Sequence, residues 1–201
     1  MVILPSTYLG SIEYFAHLAQ HGEECVVDIH EHYIKRSERN RAQIMTANGV
    51  MPLSVHVVNA NRPRTPMHKM QIDYSKRWQH QHWIAILSAY RSSPYFEHYA
   101  PFLESFYTQQ FDSLVEYNTA LTKTLMRLLG INGELRLSEN YVEAGGGDVD
   151  LRIKKRESLF DSPRYFQLFS DRFPFEPNLS VVDLLFAEGP AAIDFLRHCR
   201  L

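Results

Sequence analysis

Between residues 28 and 41 the chain carries Asp28, His30, His32, Tyr33, Lys35, Arg36, Arg39, Asn40 and Arg41. Four of these are cations held within seven residues, and they follow the apolar run Val26, Val27, Ile29, which reads as a buried strand. Cations gathered just past a buried strand suit an anionic ligand, because guanidinium forks match phosphate and carboxylate oxygens. The plainer alternative is a solvated surface turn. Two groups could move a proton. Asp28 lies inside the strand, and His82 lies beside Trp83 early in a helix; either could serve as general base toward an attacking amine or hydroxyl. Tyr8 and Trp83 offer ring faces for stacking on a sugar or base. Asp28, His30 and His32 alternate onto one face of an extended strand, and His17 and His21 stand four apart on a helix. Spacing of that kind does not make ligands converge, so no metal is assigned. No cofactor is legible.

Other chemistries are disfavoured. There is no Gly-x-Ser-x-Gly, and Cys25 and Cys199 lack an activating motif. The stretch Ala144-Gly145-Gly146-Gly147-Asp148 is not followed by Gly-Lys-Ser/Thr, which excludes a P-loop and leaves a flexible loop as the expectation.

The elements that must position these residues follow from apolar spacing. Val2-Ile3-Leu4 predicts a first strand ended by Pro5, and Ile12, Phe15, Ala16 and Ala19 predict a helix closed by Gly22. Cys25 to Ile29 completes a strand–helix–strand unit, whose carboxyl edge carries both the Tyr8 loop and the cations. Asn48-Gly49 predicts a hairpin between Gln43–Ala47 and Val50–Val58, with Pro52 at a sheet edge. Met70 to Tyr74 is a further short strand candidate. Helices are expected from Ser75 as N-cap, from Pro101, and from Phe111 to Leu129 with a stop at Gly130. Asn118 falls on the apolar face of the last of these, as a tie to buried backbone or a ligand contact. Ser180 and Asp183 form an N-cap and N3 pair at the start of a helix, and Gly189-Pro190 precedes the last one.

At 201 residues with 45% apolar and 22% charged side chains, the chain reads as one domain. It divides into an α/β core with helices (1–131), a loop-rich segment (132–160) and a C-terminal helical segment (161–201). A net charge of -2 argues against nucleic acid as a partner. Two cysteines without framework spacing point to a reducing compartment, and the absence of a signal-like or membrane-length apolar run points to the cytoplasm without membrane insertion.

Several stretches together resemble the WbqC-like family of bacterial surface-polysaccharide (O-antigen) gene clusters. They are Pro5-x-x-Tyr8-Leu9 with Tyr14-Phe15, Tyr33-x-Lys35-Arg36-Ser37-x-Arg39-Asn40-Arg41, and Leu53-Ser54-Val55. Trp78-x-x-x-His82-Trp83, Tyr90-x-x-x-Pro94-Tyr95-Phe96, Leu128-Leu129-Gly130-Ile131, and Phe175-x-Pro177 through Phe186 complete the set. Where the family often has Gln-Pro and Leu-Pro-Trp, this chain has Leu4-Pro5 and Leu9-Gly10-Ser11. The resemblance implies glycine or aminoacyl transfer onto a surface sugar.

The resulting expectation is an α/β fold: a small mixed sheet from the N-terminal unit plus hairpin, with a largely helical second half. Its function would be transfer involving a nucleotide sugar or activated amino acid. Arg36, Arg39, Arg41, Lys35 and Asn40 would bind the anion, Tyr8 and Trp83 would stack, and Asp28 or His82 would accept the proton. A homo-oligomer is compatible with this, and the alternative is a non-catalytic binding or scaffold protein of a polysaccharide assembly pathway.

Overall fold

The computed structural model describes residues 1–153 and 159–201; residues 154–158, within the expected loop-rich stretch, lie outside that description. Strand β1 (Val2–Pro5) pairs in parallel with β2 (Cys25–Asp28), and α1 (Ile12–His21) connects them. Both strands are buried along their whole length, as a continuous apolar run in a parallel sheet requires. Ser11 caps α1 by accepting the Tyr14 amide, and Gly22 ends it at φ 48°, a backbone angle that favours glycine.

The hairpin pairs β3 (Arg41–Thr46) with β4 (Gly49–Ser54). The turn sits one residue earlier than expected: Thr46 pairs with Gly49, which carries the positive φ of 97° inside the ladder. Pro52 is exposed in this two-stranded sheet, where its missing N–H is tolerated. Met70–Tyr74 forms only isolated pairings, Val57 with Ile72 and Gln71 with Ser113.

The second half is helical: α2 (Trp78–Tyr90), α3 (Phe96–Glu104), α4 (Leu114–Leu129), α5 (Val181–Glu188) and α6 (Ala192–His198). Three starts differ from expectation. The Ser75 amide donates to Asp73 Oδ1 at 2.8 Å, so Ser75 belongs to a local turn and α2 begins at Trp78. Pro101 lies inside α3, whose buried stripe Phe96, Tyr99, Ala100, Leu103 starts a turn earlier; packing of that stripe outweighs the one backbone bond that proline forfeits. Helix α4 begins after Ser113, whose Oγ accepts the Val115 and Glu116 amides, and ends at left-handed Gly130 (φ 73°).

Between α4 and α5 the chain returns to the parallel sheet. Strand β5 (Val149–Asp150) lies beside β1, giving the order β2-β1-β5. The glycine stretch just before it is therefore the approach to a strand, which two residues are too few to announce as a pattern. Helix α1 packs against α6 and α5, and α2 against β3. Among the described residues no helix is long and apolar enough to cross a membrane.

Candidate functional site

Backbone bonds lock three segments over the carboxyl end of β1. The Tyr8 amide donates to the Glu38 carbonyl at 2.9 Å, the Ile12 amide to Leu179 at 2.9 Å, the Val181 amide to Gly10 at 2.9 Å and the Ser180 amide to Gln43 at 2.8 Å. The loop after β1, the cationic turn and the start of α5 thus enclose one open cleft of about 430 Å³. It lies beyond Pro5, the last residue of β1, where parallel sheets usually receive ligands. Its polar lining includes Arg36, Arg39, Arg41 and Arg152 on one side of the charge balance and Glu13, Glu38 and Glu176 on the other, with Ser11, Gln43, Asn178 and Ser180 between.

The four cations of the turn have different fates. Arg39 is buried: its guanidinium embraces the Glu31 carboxylate, with Nε to Oε1 at 3.0 Å and Nη2 to Oε2, and also donates to Ser37 Oγ at 3.2 Å and the Arg152 carbonyl at 3.0 Å. Burial pushes the Glu31 carboxyl up, to about 7, against the pull of Arg39. Arg41 is half-buried and donates through Nε to Ser54 Oγ at 2.9 Å. Arg36 is exposed, lines the cleft, and makes no ion pair among the described residues. Its φ is 54°, a left-handed backbone that an ordinary residue holds only when its surroundings impose it, and such positions concentrate at ligand sites. Lys35 reaches Asn61 Oδ1 instead of the cleft. Asn40 is a clamp: its Nδ2 donates to the Val55 carbonyl at 2.9 Å, and its own carbonyl accepts the Val55 amide at 2.8 Å.

Asp28 closes the end of β2. Its Oδ1 accepts the His30 amide (2.8 Å), the Glu31 amide (3.1 Å) and Ser138 Oγ (3.1 Å), and its Oδ2 accepts the Val142 amide (3.2 Å) and Arg152 Nη1. Both carboxylate oxygens are engaged by the protein, so Asp28 shapes the loop that leads to the cations. Arg152 also grips Asp150 through Nε at 2.9 Å and Nη2 at 2.7 Å. Burial pulls the Asp150 carboxyl up, but those bonds to Arg152 prevail and hold it low.

Tyr8 bonds to His82, Tyr8 and Trp83 both contact Tyr107, and none of Tyr8, His82 and Trp83 is in the cleft lining. Tyr8 is fully buried, with its hydroxyl 2.9 Å from His82 Nδ1 and 3.0 Å from Tyr107 Oη. Its ring stacks on Tyr117, while Trp83 stacks on Tyr107 with centroids 5.5 Å apart. Burial, joined by a nearby His56, lowers His82 to about 4, and burial also drives the Tyr8 phenol well above its ordinary value. At neutral pH this is an uncharged hydrogen-bonded group. It fixes the loop whose backbone amide holds Glu38 at the cleft.

Of the residues singled out from the sequence, Arg36, Arg39 and Arg41 come together in the cleft. Asp28 is joined to it through Arg152; Lys35, Asn40, Tyr8, His82 and Trp83 support its walls or lie apart from its lining. Glu31, Arg152, Glu176 and Asn178 are not among the site residues read from the sequence, and Ser180 is read there only as a helix N-cap. Glu31 alone carried a readable signal, an acid eight residues before Arg39 within the same polar cluster; the others arrive through long-range folding. Among the described residues no three His, Cys, Asp or Glu side chains are grouped to hold a metal, and His30 instead packs its ring against His68, 4.6 Å between centroids.

The model of the WbqC-like protein family matches residues 6–159, which contain the cationic turn, the tyrosine–histidine cluster and Arg152. The chain belongs to the WbqC-like family. An uncharacterized protein of Mycobacterium tuberculosis is 29% identical, the alignment covering 100% of this chain and 98% of the relative. No solved structure matches the chain significantly. The family span stops short of Glu176, Asn178 and Ser180, so one wall of the cleft comes from outside the matched region.

Proposed function

We propose that this WbqC-like protein is a cytoplasmic transferase of surface-polysaccharide biosynthesis, moving a glycyl or related aminoacyl group onto a sugar. What supports a ligand of that chemistry is one observation. The cleft presents a cation, Arg36, and a half-buried carboxylate, Glu176, and neither forms an ion pair among the described residues. Uncompensated charges of both signs in one cleft favour a ligand that carries both, such as an amino acid or an amino sugar bearing phosphate, over a simple anion.

On this reading Arg36 and Arg41 bind the phosphate or carboxylate and stabilise the oxyanion that forms as the acyl carbon is attacked. The attacking amine or hydroxyl loses its proton to Glu176 within the cleft as it bonds to the acyl carbon. The bond from that carbon to the donor's leaving group breaks, and the leaving group departs with the proton that Glu176 returns. Arg39 is held by Glu31 as the rigid backing of the site, while Asp28 and His82 act as positioning residues, through Arg152 and through Tyr8. Buried, unpaired Cys25 and Cys199 fit a reducing compartment. The reading is tested by a thermal-shift screen with nucleotide sugars, amino sugar phosphates, glycine and aminoacyl donors. A bound ligand present at 100 times its dissociation constant stabilises the fold by about 2.7 kcal/mol, so a hit is unmistakable. Silence toward the whole panel would instead favour the scaffold role.

A further inference from the structure

A second concavity, of about 380 Å³, lies in the loop that follows the hairpin. Among the described residues its lining contains Arg62, Arg64 and Lys69 and no carboxylate. All three cations are exposed, and none forms an ion pair among the described residues. This segregation is not a by-product of composition, since the whole chain carries a net charge of -2. A hollow walled by a single sign of charge focuses its field on the space inside.

The loop is shaped before any ligand arrives. The Arg62 amide donates to the Asn59 carbonyl at 2.8 Å, Thr65 Oγ1 to the Arg62 carbonyl at 3.2 Å, and the Val58 amide to Gln71 at 3.0 Å. The Tyr33 amide ties Thr65 to the segment after β2 at 2.8 Å. Pro63 and Pro66 restrict the backbone further, and Asn59 and Arg64 hold left-handed angles of 54° and 52°. Two guanidinium forks and an ammonium on a preset loop match the several oxygens of a phosphate or diphosphate. The neutral groups in the lining, Asn59, Thr65 and Gln71, suit hydroxyls. Among the described residues no aromatic ring lines the hollow, so they offer no platform on which a nucleobase would stack.

We infer that this hollow is a second anion site, separate from the cleft, that binds a small phosphate ester of the sugar phosphate or diphosphate class through its phosphate oxygens. The site does not depend on the transferase reading, because its residues are absent from the cleft lining. The test is calorimetric titration of the full chain with inorganic pyrophosphate, glucose 1-phosphate and a mixed-sequence single-stranded oligonucleotide at low salt. Each is run on the wild type, on the double variant Arg62→Gln with Lys69→Gln, and on Arg36→Ala. Pyrophosphate and the sugar phosphate should bind, lose at least tenfold in affinity in the double variant, weaken with added salt, and be unaffected by Arg36→Ala. The unliganded melting temperature of the double variant should match the wild type. The proposal is overturned if neither phosphate binds, if the double variant binds as the wild type does, or if only Arg36→Ala abolishes binding, which would place the anion in the cleft. Tighter binding of the oligonucleotide with the same sensitivity to the double variant would overturn the ligand class.

Discussion

Arg152 and Asp28 are joined across 124 residues of sequence by a buried ion pair, guanidinium Nη1 on carboxylate Oδ2. Through that bond the strand-like return at 149–152 is fastened to the end of β2, from which the cationic turn departs. The Arg152 carbonyl in turn receives Arg39. Two arginines and two acids, Asp28 and Glu31, therefore form one continuous buried frame beneath the cleft.

Removing one partner should unseat that frame. Arg152→Met leaves Asp28 and Asp150 without their cation, and the loss of one partner of a buried pair costs about 3–5 kcal/mol. Urea unfolding should show a midpoint reduced in proportion with little change in slope. A loss below about 1 kcal/mol would mean that the pair is not buried as described.

His82 gives stability a defined pH dependence. Its folded value of about 4 lies below the 6.5 of the free side chain, so between those pH values the unfolded chain binds more protons than the native one. Its contribution is complete above about 6.5 and is lost as pH falls toward 4, a change on the order of 3 kcal/mol. Thermal unfolding followed from pH 7 to pH 4 should fall less steeply in His82→Asn than in the wild type. Parallel profiles would remove His82 from the account.

Asn118 connects α4 to the cleft frame. Its Nδ2 donates to Ser6 Oγ at 3.1 Å and to the Arg39 carbonyl at 2.9 Å. Asn118→Ala should destabilise by about 1–3 kcal/mol, the cost of leaving buried acceptors unsatisfied, and should weaken ligand binding because Arg39 loses its backbone tie. Equal stability in chemical denaturation would count against that linkage.

How much of this was legible in the sequence depends on the range of the interaction. The α1 stripe from Ile12 to Ala19 and the caps at Gly22 and Gly130 are local, and they read correctly. Asn118 read as a tie to buried backbone or a ligand contact, and it binds the Arg39 carbonyl. Ser180 did mark a helix start, yet its Oγ caps nothing: the Asp183 amide donates instead to the Ser180 carbonyl at 3.0 Å, and the Asp183 carboxylate, which would complete the reciprocal cap, accepts from the Tyr165 hydroxyl at 2.6 Å. Strand β5 escaped notice because a two-residue strand has no period. A charge run announces that cations are present, but which of them turns inward is decided by the partner. Glu31 takes Arg39, Asn61 takes Lys35, and Arg36 is left facing the cleft. Glu176 and Asn178 reach the site only through the docking of α5 on the loop after β1, a long-range event with no local signature.

The most direct test is calorimetric titration of a ligand from the screen into the wild type, Arg36→Ala and Glu176→Gln, with melting temperatures recorded for each. The account predicts that Arg36→Ala weakens binding at least tenfold for a ligand that carries an amine together with phosphate or carboxylate, the class assigned to the cleft, and leaves simple phosphate esters at the second hollow unaffected. Glu176→Gln should do the same, and both variants should melt as the wild type does. Undiminished affinity in Arg36→Ala would contradict the account, because the cleft would then not be where the anion binds.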